Sequence, residues 1–209
     1  LSLQGMTGFP FTPSEFTNFC FTYNEVEVFI LPWLSAFIGG DITSGLLSLS
    51  FDTRKDTCLL ADLGTNGELV LCHQNHLFTA STAAGPALEG NGLSHGCPAI
   101  PGAISDVSLR GVVPRIQTIA NKLPAGICGS GAISTLAELL SQHYMNADGT
   151  LTDKFPKNGI VLARSKETGI TFSINDVRQM QLAIAAIAAG IDTLCHEAGI
   201  SPDKVDSLY

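Results

Sequence analysis

The sequence predicts an α/β fold, and three observations predict it. β-type runs such as "VEVFIL" (Val26 to Leu31) and "LLADLGTNGELVL" (Leu59 to Leu71) alternate with segments whose apolar residues recur at helical spacing. Glycine-rich turns join the two kinds of segment. With 209 residues, 45% of them hydrophobic and 14% charged, the chain can bury a core and form one or two domains.

Residues 1–24, rich in Phe, Thr, Pro and Gly, read as an irregular segment that packs as a loop. "VEVFIL" is a strand closed by Pro32. In "GGDITSGLLSLS" (Gly39 to Ser50), Ile42, Leu46 and Leu49 fall at helical spacing, which predicts a short helix leading into the strand near Leu59. Glu68 to Ser81 reads as a hairpin with the polar "CHQNH" at its turn. The glycine- and proline-rich "STAAGPALEGNGLSHGCPAIPGAI" is either a surface loop or a loop that lets a ligand approach the backbone.

A second glycine cluster, "GICGSGA" (Gly126 to Ala132), opens into a helix with Ile133, Leu136, Leu139 and Leu140 as its stripe. Residues 146–172 are polar apart from "GIVLA", a strand. Ser173 with Asp176 three positions on resembles a capping box. Val177, Met180, Ile184, Ile187, Ile191 and Leu194 then mark the clearest helix, which Gly199 stops. A strand begins at Val205, and the run of Ala183, Ala186, Ala189 and Gly190 predicts close packing of another element on the helix.

A net charge of −8 without a Lys/Arg cluster argues against nucleic-acid and anionic-membrane surfaces, which need grouped basic side chains. The longest apolar run, "VFILPWLSAFIGG", is broken by Pro32 and too short for a membrane span, and no basic n-region marks a signal peptide. Six scattered cysteines without a C-x-x-C pair read as reduced thiols of a cytoplasmic protein.

Three glycine-rich turns are the candidates for chemistry. In "DLGTNG", Gly64 and Gly67 permit a tight turn, backbone amides and the Thr65 hydroxyl can donate to phosphate oxygens, and Asp62 can hold a hydrated Mg²⁺. The alternative is a plain β-turn built on an Asn-Gly pair. "GICGSGA" puts free amides of Gly129, Ser130 and Gly131 at a helix start, which suits an anion; tight helix-on-strand packing explains the same glycines. "STAAGPALEG" offers the Ser81 and Thr82 hydroxyls, with Glu89 expected as an ordinary solvated carboxylate. Cys72, His73, His76, His95 and Cys97 include zinc-type donors but lack ligand spacing, and Cys72 and His73 point to opposite faces of a strand. Cys128, just before a helix, is a candidate lowered-pKa nucleophile without a nameable base. "CGSGA" fails as a serine-hydrolase elbow, because G-x-S-x-G needs glycine at Cys128 and Ala132.

Taken in order, "LPWLSAFIGGDITSGLL", "LLADLGTNGELVL", "STAAGPALEG", "PGAI" with "ISDV", "GICGSGAI" and "INDVRQMQLAIAAIAAGIDTL" resemble the C-terminal ATPase region of the reductive activators of corrinoid proteins. That family lies in the sugar kinase, Hsp70 and actin superfamily, and the likeness runs from about Pro10 to Tyr209. It implies an actin-like ATPase lobe of RNase H-like type, a mixed sheet with flanking helices, with ATP or ADP and a divalent cation in a cleft. Residues 1–55 would be the end of the preceding lobe and a linking helix, and residues 56–209 the second lobe. By this likeness Gly64, Thr65, Asn66 and Gly67 lie near the β- and γ-phosphates. Asp62 lies near Mg²⁺ as the catalytic carboxylate, and Ser81, Thr82, Gly129, Ser130 and Gly131 line the nucleotide.

Whole members of the family use ATP to drive an electron from a [2Fe–2S] cluster to cobalt, returning Co(II) corrinoid to Co(I). A corrinoid protein and a nucleotide are therefore the implied partners, and a homodimer is compatible. No ferredoxin-type cysteine spacing is present, so no iron–sulfur cluster is expected in this chain. The first phosphate loop and the adenosine-binding segment are also missing from the sequence. The chain is expected to be a fragment that does not turn over ATP by itself. The alternative function is a non-catalytic scaffold of the same fold, used for dimerisation or for docking the corrinoid protein.

Overall fold

The structure, a computed structural model, describes residues 20–51, 53–111, 113–164 and 169–209. The irregular segment expected for residues 1–19 lies outside the described residues. Residues 20–24, expected to belong to it, instead start a hairpin: β1 (Cys20–Tyr23) pairs antiparallel with β2 (Val26–Phe29), Tyr23 opposite Val26. Asn24 and Glu25 take φ of 49° and 65°, the left-handed pair of a two-residue turn whose twist matches that of paired strands. The described residues divide into two compact units, those up to residue 62 with 67–82 and 188–209 in one, and those in 63–66 and 83–187 in the other.

In the first unit the expected short helix is α1 (Gly40–Ser48). Its buried Ile42 and Leu46 join Ile38, Phe51, Cys58, Val70 and Cys72 in one apolar cluster. Thr43 Oγ1 donates to the Pro32 carbonyl at 2.6 Å, anchoring the helix to the chain that leads into it. The expected hairpin is β4 (Gly67–His73) and β5 (His76–Thr82), closed by Gln74 and Asn75 with φ of 49° and 62°. With β3 (Cys58–Leu63) and β11 (Ser207–Leu208) these strands form a sheet in the order β11-β3-β4-β5. The last strand, expected at Val205, starts at Ser207 and pairs parallel with β3, Ser207 opposite Cys58. Asp206 Oδ2 accepts a bond from Thr57 N–H at 2.9 Å, and the Arg54 guanidinium covers the Tyr209 ring 4.6 Å from its centroid. Close packing on the glycine of the last helix is real: a Cβ on Gly190 would stand 2.4 Å from Thr82 Cγ2 and 2.6 Å from Leu69 Cδ1.

The second unit holds a sheet in the order β7-β6-β8, from β6 (Ala103–Ser108), β7 (Arg115–Thr118) and β8 (Gly126–Ile127). It also holds the hairpin of β9 (Ile160–Arg164) and β10 (Gly169–Phe172) and the helix α2 (Gly129–Ser141). The apolar stripe of α2 keeps the expected Leu136 and Leu139 but not Ile133 and Leu140. Ala132, Leu136 and Leu139 are buried, while Ile133 and Leu140 are more than 40% exposed. Positions i, i+4 and i+7 from Ala132 share the face that meets β6, and small Ala132 belongs on it because the backbones approach closely there. Ser134 Oγ donates to Asp106 Oδ1 at 2.6 Å, and Leu109 N–H donates to Glu138 Oε2 at 2.7 Å, joining helix and strand.

The longest helix, α3 (Ile174–Glu197), runs through both units. Ser173 and Asp176 form the expected capping box: Asp176 Oδ2 accepts from Ser173 N–H at 2.7 Å and from its hydroxyl at 2.8 Å, and Asp176 N–H donates to Ser173 Oγ at 3.2 Å. Asp176 Oδ1 also accepts from Ser94 N–H at 2.6 Å, so this buried carboxylate holds a neighbouring loop as well as the helix start. Val177, Met180 and Ala183 face the core of this unit; Ile184, placed in the stripe by spacing, is exposed, and Ala183 one residue earlier takes its place.

Candidate functional site

The "DLGTNG" turn is a bend of Gly64, Thr65 and Asn66 between β3 and β4. Gly64 N–H donates to the Asn66 carbonyl at 3.1 Å and closes it. A hairpin arm that buries Cys58 and Leu59 brings the chain to the surface by Asp62, whose side chain is solvent-exposed at the strand end. Gly67 starts β4 opposite Thr82, and Thr82 Oγ1 donates to the Gly67 carbonyl at 3.3 Å; Ser81 is paired with Glu68 on the same hairpin and is exposed.

Within the second unit, two of the three glycine-rich segments meet at the turn. Gly85 N–H donates to the Thr65 carbonyl at 2.8 Å, and the Thr65 hydroxyl donates to Glu89 Oε2 at 2.6 Å. That length suits an O–H···O bond to an ionised carboxylate. The other carboxylate oxygen is also close, because a Cβ on Gly64 would stand 3.3 Å from Glu89 Oε1. Glu89 is exposed, as its residue type suggests, yet it is engaged with the turn although it lies outside the site residues that the sequence nominates. The signal that could have found it is its frame "GPALEG". Pro86 starts a 3₁₀ turn, Pro86–Glu89, and Gly90 ends it with φ of 79°, so the side chain between them is carried by a constrained backbone.

The same 3₁₀ turn touches the third segment. A Cβ on Gly129 would lie 1.6 Å from the Leu88 carbonyl oxygen, and one on Gly131 would lie 2.1 Å from that of Ile104. Close backbone packing therefore accounts for both glycines, and any anion role at Gly129, Ser130 and Gly131 falls to their amides. Cys128 caps α2 without a side-chain cap bond; its thiol is buried, donates to the Ile104 carbonyl at 3.2 Å and lies 3.2 Å from Ser130 Oγ. A buried thiol bonded to a carbonyl is a packing group rather than an exposed nucleophile. Nearby, burial and then the neighbouring Cys128 raise the Cys97 pKa above the ordinary thiol range.

The sequence's surface-loop alternative for residues 81–104 holds only in part, since Ala84, Ala87, Leu88 and Leu93 belong to the core of this unit. His73 Nδ1 lies 2.8 Å from the Thr57 hydroxyl, and His95 Nδ1 lies 3.2 Å from the Thr171 carbonyl. Among the described residues no group of three or more His, Cys, Asp or Glu side chains could hold a metal. No helix among them is long and apolar enough to cross a membrane.

Comparison with known proteins bears on these residues as a set. A family model described as the C-terminal domain of RACo, the ASKHA domain, matches residues 56–209. The chain is 32% identical over 229 residues to the corrinoid activation enzyme RamQ of Eubacterium limosum, covering 100% of this chain and 36% of that protein. It is 33% identical over 210 residues to the [Co(II) methylated amine-specific corrinoid protein] reductase of Methanosarcina barkeri, covering 89% of this chain and 37% of that one. Among solved structures, a reductive activator for corrinoid, iron-sulfur protein matches with a TM-score of 0.77 and 33% identity over 88% of this chain and 32% of its own. The chain thus spans little more than a third of the length of the curated relatives it matches. Its mixed α/β architecture is the actin-like ASKHA fold, and the chain belongs to the family of C-terminal ASKHA domains of RACo.

Proposed function

We propose that this chain is the nucleotide-binding portion of an ATP-dependent reductive activator that returns Co(II) corrinoid proteins to Co(I). The observation that carries the reading is the junction of "DLGTNG" with "AGPALEG" through Thr65, Gly85 and Glu89, within a domain of the RACo family. Two relatives named for corrinoid activation and for Co(II) corrinoid protein reduction support the substrate class. The start of the family match at residue 56 supports taking residues 56–209 as the lobe with the phosphate turn and residues 1–55 as the end of a preceding one.

In this reading Gly64, Thr65, Asn66 and Gly67 lie near the β- and γ-phosphates, and Ser81, Thr82, Gly129, Ser130 and Gly131 are further nucleotide-binding residues. The carboxylate of Asp62 holds Mg²⁺. Asp62 suits that ion in kind, since its carboxylate is a hard oxygen ligand exposed at the strand end, of the sort that Mg²⁺ takes together with phosphate oxygens. Bound Mg²⁺ neutralises phosphate charge and orients its oxygens. Phosphoryl transfer requires positioning and electrostatic stabilisation from both walls of a closed cleft.

A scaffold of the same fold is the second reading, favoured by the packing explanation of Gly129 and Gly131. Titrating the chain with Mg-ADP, followed by NMR of the amides of Gly64 to Gly67, separates the two. Saturable shifts that disappear in Asp62→Ala support nucleotide binding; an unresponsive turn at millimolar Mg-ADP supports the scaffold.

A further inference from the structure

We propose that Glu89 is a binding residue of the phosphate turn, whose carboxylate holds the Thr65 hydroxyl and bars a bare phosphate, so that the turn accepts a polyphosphate only together with a divalent cation. The inference rests on the nucleotide reading above and assigns a role to a residue outside its site.

A threonine hydroxyl has one proton. Here that proton is directed to Glu89 Oε2, 2.6 Å away, and while this bond is made the Thr65 oxygen offers only lone pairs to anything else that approaches. Glu89 Oε1 lies over the bare face of Gly64. The turn therefore presents carboxylate oxygens and hydroxyl lone pairs where a phosphate would need donors. Such acceptors repel an anion and attract a hard cation, and a cation placed among them restores attraction for phosphate oxygens.

A simpler role, as a staple between two loops, leaves the charge unexplained. The loops are already joined by Gly85 N–H to the Thr65 carbonyl at 2.8 Å, and the turn is already closed by Gly64 N–H to the Asn66 carbonyl at 3.1 Å. An exposed side-chain bond adds little to those. A glutamine would still staple the loops, if less strongly, since its amide oxygen accepts the same hydroxyl. Nor is the carboxylate free to swing aside with a loose loop: Leu88 packs against Gly129, and a Cβ on Gly90 would stand 2.2 Å from the Cys97 carbonyl oxygen. The backbone on both sides of Glu89 is thus fixed.

The test is an NMR titration of the 209-residue chain and its Glu89→Gln variant with ADP, with and without MgCl₂, reading the amides of Gly64 to Gly67. In the native chain ADP is expected to shift these amides only when Mg²⁺ is present. Glu89→Gln is expected to bind ADP without Mg²⁺ at least about tenfold more tightly than the native chain does, and to lose most of the Mg²⁺ enhancement. A second measurement needs no variant: Mn²⁺ added with ADP should broaden the Thr65 and Glu89 amides of the native chain before others. Equal Mg²⁺ dependence in both proteins, or broadening that spares Thr65 and Glu89, overturns the role of Glu89 and leaves the nucleotide reading standing. An unresponsive turn in both proteins, with and without Mg²⁺, overturns the nucleotide reading and this inference with it.

Discussion

Replacing Gly129 by alanine sets two simple expectations against each other. Helix propensity alone makes Gly129→Ala stabilising, by up to about 1 kcal/mol, because glycine loses more backbone freedom in a helix than alanine does. The contact says the opposite. The added methyl would lie 1.6 Å from the Leu88 carbonyl oxygen and 2.6 Å from its carbon, where ordinary contact begins at 3.4 Å. One backbone must retreat by roughly 2 Å, and neither is a side-chain tip that can rotate away. Overpacking costs about 1–3 kcal/mol, and a clash of backbone against a helix start belongs at the upper end. The net expectation is a loss of about 2 kcal/mol. Urea unfolding followed by circular dichroism reads it as a midpoint lower by about 1 M for a slope near 2 kcal/mol/M. Gly131→Ala, whose methyl would lie 2.1 Å from the Ile104 carbonyl oxygen, should move the midpoint the same way. A midpoint that rises in Gly129→Ala would refute the close approach of α2 to the 3₁₀ turn, and with it the rigid support argued for Glu89.

Asp176→Ala removes the acceptor of Ser94 N–H, Ser173 N–H and the Ser173 hydroxyl at a position 1% exposed, and should cost about 3 kcal/mol; Asp176→Asn should cost less, as measured by the same urea midpoint. Burial pushes the Cys58 thiol from 9.0 up to about 11, with Cys72 adding to the shift. Since the unfolded chain releases this proton near pH 9 and the folded chain keeps it to about pH 11, the native state binds more protons in that window and stability falls as pH rises through it. Urea midpoints at pH 8 and pH 10 should therefore converge in Cys58→Ala, and an unchanged difference between them would remove Cys58 as the cause.

Most elements could be read in the sequence where local chemistry and tertiary context agree. The capping box at Ser173 and Asp176, the hairpin from Glu68 to Ser81 and the helix after "GICGSGA" are of this kind. Leu136, Leu139, Val177, Met180 and Leu194 lie on the buried faces that their spacing indicates, but Ile133, Leu140 and Ile184 do not, because close packing gives places on those faces to the small Ala132 and Ala183 instead. β6, β7 and β10 are only six, four and four residues long, too short for their alternation to stand out, and they form because neighbouring strands supply their partners. β1 was hidden by a turn of Asn24 and Glu25, which lacks the glycine that usually marks a two-residue turn. At the candidate site, the turn residues were visible from glycine and threonine spacing. Glu89 was not, because its engagement depends on a contact 24 positions away in the chain.

The parallel pairing of Ser207 and Leu208 with Cys58 and Leu59 also sets the order in which a nascent chain can complete its sheet. Thr57 and Asp206, bonded beside that pairing, are 149 residues apart. At about 5–20 residues synthesised per second, the ribosome emits residues 83–187, with the apolar cluster they contain, for many seconds before β11 emerges. Through that interval one edge of β3 presents unpaired backbone groups beside the buried side chains of Cys58 and Leu59, the kind of edge on which strands of other chains add. A protein built this way depends during synthesis on whatever shields that edge, and a ribosome stalled before Ser207 leaves it open.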